Sequence, residues 1–370
     1  MIDKKSLTKE WIAEKRKLVS KKDPSIMESM IYALYLLEQL KLSKLDFIFK
    51  GGTSLILLLE NPSRFSVDID IIVNPLIKRE EIEKYLSIIL EEKTFLSWTL
   101  DDKRSYKDGI PKAHYSFKYQ SSVPTLTKEK EKVNNPEREI LLDILFTENQ
   151  YPKLIEVPIK TNWLLNINED LTVSVPDINA IAGDKLTAYA PNTTGILYGK
   201  DKEKEIIKQL FDIGCLFDYI DDFEVFENSF MAIALKEIDY RKAQQINSIE
   251  TILEDIIETS LLIAKRENQL NDKDKNNYQE LTRGINQFSH FIFNGSFRIE
   301  DAQLASAKAA FLAAKILMKS KSKIIRFNEK NPDDLILITH PDYNFLNKKL
   351  KFVAKGEALF YWRKTIELIS

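Results

Sequence analysis

Apolar residues at Ile26, Met30, Ile31, Leu34, Leu37 and Leu40 recur near helical spacing behind Asp23-Pro24-Ser25, a helix-start signal. They predict a helix over 25–40, after a short polar one over 6–22. The run 46–50 reads as a short strand leading into Gly51-Gly52, and Thr53 to Leu59 as the start of an apolar helix. Val67 to Val73 reads as a strand ended by Asn74-Pro75, and 77–90 as a helix with Lys and Glu outward. Alternation over 112–119 predicts a half-buried strand, and the apolar run 138–146 continues the β-rich stretch. Between them, the charged segment 125–136, with Lys128, Lys130 and Lys132, is expected to be a loop or hairpin tip. From Asp177 the period turns helical, with Ile178, Ile181, Leu186 and Tyr189 inward. A mobile loop holding Gly195 and Gly199 is expected over 192–201, then an amphipathic helix over 204–217. Beyond Asp222 the clearest helices are 240–266 and 301–319, the second made close-packing by its alanines; 267–277 reads as a polar linker. The pattern divides the chain into an α/β part over 1–222 and a helical part over 223–370.

Composition narrows the class. The chain has 370 residues, 44% hydrophobic and 30% charged, an ordinary globular balance with ample core material. One cysteine, Cys215, permits no internal disulfide and suggests no zinc cluster; its apolar helical setting predicts a buried small residue. The three histidines, His114, His290 and His340, are scattered, which argues against a histidine metal site. The N-terminus lacks a signal-peptide core, and no apolar run approaches the roughly 18 residues of a membrane span. A soluble cytoplasmic protein is expected, with no membrane partner. Net charge is −2, yet residues 301–370 hold 13 Lys and Arg against 7 Asp and Glu. That basic end could meet a phosphate backbone; solvated helix faces would give the same count. The lysines of 345–369 are interleaved with Phe352, Phe360, Tyr361 and Trp362, which could stack on bases or line a helix's inner face.

The chemistry concentrates in 49–73. In a strand, Asp68 and Asp70 share a face with Ser66, while Ile69, Ile71 and Val73 line the other. Carboxylates about 7 Å apart repel and resist burial, and a divalent cation removes that penalty. Gly51 and Gly52 let the backbone approach a ligand closely at a helix start whose N–H groups favour an anion. Thr53 and Ser54 add hydroxyls. The segment therefore reads as a phosphate cradle followed by a metal-binding strand. Asp143 stands alone among apolar residues, where an unpartnered buried carboxylate would be expensive; the solvent side of an edge strand would also explain it. Lys208 and Asp212 lie at i and i+4 on one helix face, where a plain salt bridge is possible.

Gly-Gly-Thr, a helix, then Arg64-x-Ser66-x-Asp68-Ile69-Asp70 resembles the signature of polymerase-β-type nucleotidyltransferases, and more narrowly the AbiEii/AbiGii toxin family, which includes the MenT toxins. Thr53 fills a slot that holds Ser in the broad superfamily. Asp184-Lys185-Leu186-Thr187-Ala188 fits a further motif of the family, and Lys208 with Asp212 its last one, so the resemblance covers roughly 30–220. It implies a polymerase-β-like core with a mixed sheet, α+β or α/β in class, followed by a helical C-terminal domain.

The resemblance also implies roles. Asp68, Asp70 and Asp143 would bind Mg²⁺ or Mn²⁺, with Asp143 activating the acceptor hydroxyl. Gly51, Gly52, Thr53, Ser54, Arg64, Ser66, Lys185 and Lys208 would contact the NTP, and Asp212 would orient Lys185 or accept a proton. The implied reaction is transfer of NMP from an NTP to RNA, the tRNA 3′ end, with release of pyrophosphate. Such an enzyme would be the toxin of a type IV toxin–antitoxin or phage-defence system with a separately encoded antitoxin. Nucleotidylation of a protein, or NTP binding without catalysis, are the alternatives.

Overall fold

The computed structural model describes residues 1–19, 23–107, 109–126, 132–169, 171–241, 248–267 and 270–370. They form two compact units. The first comprises Met1–Asn149, Lys153–Asp177 and His290–Gly295, and the second Gln150–Pro152, Ile178–Ser289 and Ser296–Ser370. The first unit thus ends its main run at Asp177, earlier than the boundary at 222 read from the pattern, and regains a short segment at 290–295.

The first unit opens with α1 (Lys9–Lys15) and α2 (Pro24–Leu42). The polar helix expected over 6–22 is one full helical stretch, α1, flanked by 3₁₀ turns at Lys4–Leu7 and Arg16–Leu18; 20–22 lie outside the described residues. Asp23 caps α2 by accepting from the Ser25 N–H, with Pro24 in the first turn, as the start signal predicts. Almost the whole of α2 is buried, including Glu28 and Glu38. Each buried carboxylate is satisfied: Glu28 accepts from the Ser121 hydroxyl and the Ser122 N–H and hydroxyl, and Glu38 from the Ile2 N–H.

Then follow β1 (Ile48–Lys50), α3 (Gly51–Leu58), β2 (Ile69–Val73), α4 (Arg79–Leu90), β3 (Phe95–Leu100), β4 (Lys112–Gln120), β5 (Thr125–Leu126), β6 (Lys132–Val133), β7 (Glu137–Phe146), β8 (Leu154–Pro158) and β9 (Thr172–Pro176). The expected hairpin tip is the β5–β6 pair; Lys128 and Lys130 lie outside the described residues. Seven strands make a mixed sheet in the order β3-β4-β7-β2-β1-β9-β8, with β2–β7 and β1–β9 parallel and the other neighbours antiparallel. Strict alternation sends Ala113, Tyr115, Phe117 and Tyr119 of β4, and Ile140, Leu142, Ile144 and Phe146 of β7, into the core. The other face of these two strands is more open.

The regular elements of the second unit, among its described residues, are helices: α5 (Ile178–Ala188), α6 (Glu203–Leu216), α7 (Phe223–Tyr240), α8 (Ile249–Lys265), α9 (Asp272–Phe288), α10 (Ile299–Leu317), α11 (Leu346–Leu350) and α12 (Glu357–Ile369). The helix expected over 240–266 is α8 alone, with 242–247 outside the described residues, and the linker expected over 267–277 already contains the start of α9, capped by Asn271. Ala302 to Ala314 of α10 are buried, and Gly183 lets α5 lie against α7, where a side chain would press on Phe226 O. The loop expected to be mobile is held instead. Thr193, Thr194 and Gly195 are buried, and Asp255 of α8 accepts from the Asn192 N–H, the Asn192 amide and the Thr193 hydroxyl. Cys215 is half-buried.

Candidate active site

Four neighbouring strands of the first unit each place one polar residue on a single line across the sheet. Lys50 of β1 is the register partner of Asp70 of β2, Asp70 of Asp143 on β7, and Asp143 of His114 on β4. Direct partners project from the same face, so two carboxylates stand side by side between an ammonium and an imidazole. Asp143 is therefore neither on an edge strand nor an unpartnered buried carboxylate, as the sequence suggested. Its strand has a neighbour on both sides, its side chain is 38% exposed, and His114 Nδ1 lies 2.6 Å from Asp143 Oδ1.

The glycine pair sets the approach of this row to α3. Gly51 has φ +81°, and a Cβ there would overlap Asp70 Oδ2, so only glycine lets this carboxylate lie against the helix start. The N-cap residue Lys50 supplies no side-chain acceptor, and the first-turn N–H groups keep their affinity for an anion. A Cβ on Gly52 would overlap Arg64 Nη2 and come within 2.9 Å of Ser66 Oγ. The guanidinium thus packs beneath the glycines.

That packing engages three groups that were expected to contact the nucleotide. Arg64, read as a phosphate contact, is only 5% exposed and donates from Nη1 to Phe65 O at 2.9 Å. The Thr53 hydroxyl is buried, donates to Asp68 O and lies 2.9 Å from the buried Ser66 hydroxyl. The buried Ser54 hydroxyl donates to Gly51 O at 2.8 Å. These groups brace the loop from within, because a turn this tight buries its own polar side chains and must satisfy them. Asp68 also differs from its expected place. β2 begins at Ile69, so Asp68 stands in the extended lead to the strand, and its carbonyl is the group Thr53 holds. Residues 290–295 secure that lead: the Phe65 N–H donates to Phe291 O, the Phe293 N–H to Ser63 O, and the Phe293 ring packs on Phe65 and Trp163.

Lys185, Lys208 and Asp212 belong to the second unit and are described within it. Lys185 on α5 is 7% exposed and pairs with Asp212 of α6 at 3.1 Å, and its ammonium also donates to Gln209 Oε1 at 3.1 Å. The two side chains that the family motifs set apart in the sequence thus form one buried ion pair. Lys208 pairs with Glu205 at 3.4 Å, one turn earlier on its own helix. Asp184 accepts from the Tyr151 hydroxyl at 2.6 Å.

Among the described residues, no three His, Cys, Asp and Glu side chains converge into a ready-made ion cage. Mg²⁺ does not ask for one: it is ordinarily held by one or two carboxylates, with substrate phosphates and water completing its shell. Hard oxygen donors from adjacent strands, beside a helix start suited to phosphate, fit that pattern.

The sequence reading missed His114, whose signal was its position in an alternating strand opposite the acid-bearing one. It also left open which aromatics near the C-terminus face outward. Phe360, Tyr361 and Trp362 are buried in α12, while Phe352 is 82% exposed beside Lys351. No helix among the described residues is long and apolar enough to cross a membrane.

No curated protein matches the chain significantly. The family described as nucleotidyl transferase AbiEii toxin, type IV TA system, matches residues 35–291, which include the strand row, the glycine turn and the Lys185–Asp212 pair. A match over that much of the chain places this protein in the AbiEii family of nucleotidyltransferase toxins.

Proposed function

We propose that this chain transfers NMP from an NTP to an RNA acceptor, the tRNA 3′ end, and releases pyrophosphate, as the toxin of a type IV toxin–antitoxin pair. The observation that carries this reading is the side-by-side register of Asp70 and Asp143 next to the Gly51-Gly52 helix start. The main-chain N–H groups at the start of α3 bind phosphate oxygens. Asp68, Asp70 and Asp143 hold Mg²⁺ or Mn²⁺, which when bound neutralises phosphate charge. Asp143 receives the proton of the acceptor hydroxyl as its oxygen bonds to the α-phosphorus and the bond to the pyrophosphate oxygen breaks. On the family pattern, Lys185 and Lys208 contact the nucleotide, and Asp212 keeps Lys185 aimed. The setting is the cytoplasm, the antitoxin is separately encoded, and the helical second unit with its basic end contributes RNA contacts.

A label-transfer assay tests this. Purified protein is mixed with each labelled NTP, Mg²⁺ and total tRNA, beside the Asp68→Ala/Asp70→Ala double variant. Label on tRNA with the wild type alone is the expected result. Label on protein instead moves the acceptor to the protein class, and NTP binding without transfer leaves only a nucleotide-binding role.

A further inference from the structure

We infer that His114 is a positioning residue of the transfer site, anchoring Asp143 Oδ1 so that Oδ2 is the oxygen turned to the metal or the acceptor hydroxyl. The inference rests on the reading of Asp143 given above. With Asp143 ionised, the form in which it would hold a metal, the carboxylate only accepts, and the 2.6 Å contact is then a donation from His114 Nδ1. The imidazole is well placed to hold a fixed direction. Its side chain is 16% exposed, and the main chain that carries it is held on both sides: the His114 backbone N–H donates to the Ser105 hydroxyl at 2.9 Å, and the His114 backbone carbonyl accepts from the Asp101 N–H at 2.9 Å. The β4–β7 pairing runs in unbroken register from Lys112–Leu145 to Gln120–Glu137, so the imidazole cannot slide along its neighbour. Lys118 and Glu137, on the same two strands, make a looser pair, 3.8 Å apart with both side chains exposed.

Charged neighbours act on the pair from one side. Asp70 on β2 and His114 on β4 flank Asp143 on opposite sides, so repulsion from the one and the hydrogen bond to the other draw the carboxylate the same way. The imidazole gives that orientation a fixed end point at Oδ1. Outer partners of metal-binding groups commonly change affinity or activity ~10–100-fold when removed.

The test uses the full chain and Mn²⁺ with a nonhydrolysable NTP, read by electron paramagnetic resonance, alongside steady-state transfer. His114→Phe keeps the ring volume and removes the donor; His114→Asn places an amide N–H near the position of Nδ1. The expected result is Mn²⁺ affinity and kcat both lowered ~10–100-fold in His114→Phe, with KM for NTP little changed, and recovery to within about fivefold in His114→Asn. Wild-type Mn²⁺ affinity in His114→Phe would overturn the proposal, as would equal impairment of the two variants at wild-type thermal stability. Mn²⁺ binding needs no acceptor, so absence of transfer to RNA would count against the functional reading while the resonance data still decide the role of His114.

Discussion

Gly51 and Asp70 share one small volume: the space a Cβ on the glycine would need is held by the carboxylate's Oδ2. Gly51→Ala therefore combines a left-handed φ of +81° with displacement of Asp70. Strain of this kind amounts to roughly 1–2 kcal/mol, and movement of a reacting group by about 1 Å lowers rate on the order of 10²-fold. Gly109→Ala is the control, since Gly109 has φ +73° and nothing within 4 Å of its Cβ position. Denaturation and transfer assays on both should show similar losses of stability, with activity lost only in Gly51→Ala.

Asp70→Asn and Asp143→Asn keep side-chain volume on a partly open face and should leave thermal stability near that of the wild type. Each should lower transfer ~10²–10⁴-fold, the range of a lost charged or proton-accepting group. Wild-type rates in either variant would remove that carboxylate from the chemistry.

The buried pair Lys185–Asp212 separates stability from function. Its side chains are 7% and 2% exposed. Lys185→Met or Asp212→Leu alone leaves an uncompensated charge and should destabilise by roughly 3–5 kcal/mol. The double variant should be more stable than the sum of the two changes allows, because neither charge remains. If Lys185 binds nucleotide, that rescued protein will still fail to transfer. A double-mutant cycle in urea, followed by activity on the stable double variant, distinguishes the two roles.

Burial raises the carboxyl of Asp255 above its ordinary range, against the opposing pull of hydrogen bonds from Asn192, Thr193 and Thr259. The folded state thus holds this proton more tightly than the unfolded one. The resulting stability is full below the unfolded carboxyl value and is lost as pH rises through the folded one. Asp255→Asn should remove that slope. Asn has the shape of the neutral carboxyl, so urea midpoints of the two proteins should agree best at the acid end and diverge as pH rises and the wild type loses its share.

The cluster Lys348, Lys349 and Lys351 beside exposed Phe352 predicts salt-sensitive RNA binding. Replacing the three lysines by Gln should weaken tRNA binding at low salt and flatten the slope of log affinity against log salt by about 0.7–0.9 per lost phosphate contact. An unchanged slope would take this surface out of RNA recognition.

Much of this protein is legible in its residues. Local chemistry fixed the start of α2 through Asp23-Pro24-Ser25, the alternation of β4 and β7, and the glycine turn followed by the acid-bearing strand, because helix starts, pleats and tight turns depend on neighbours along the chain. Those neighbours also sufficed to single out Asp68, Asp70 and Asp143. Only the tertiary structure decided which residues stand beside them. Strand register put His114 beside Asp143 and Asp143 beside Asp70, pairings that no spacing along the chain encodes. Close packing turned Arg64, Thr53 and Ser54 inward, since the volume left under Gly52 depends on what folds over it. A segment at 290–295 reached back to hold Phe65, a contact made by main-chain hydrogen bonds and aromatic packing that sequence separation conceals.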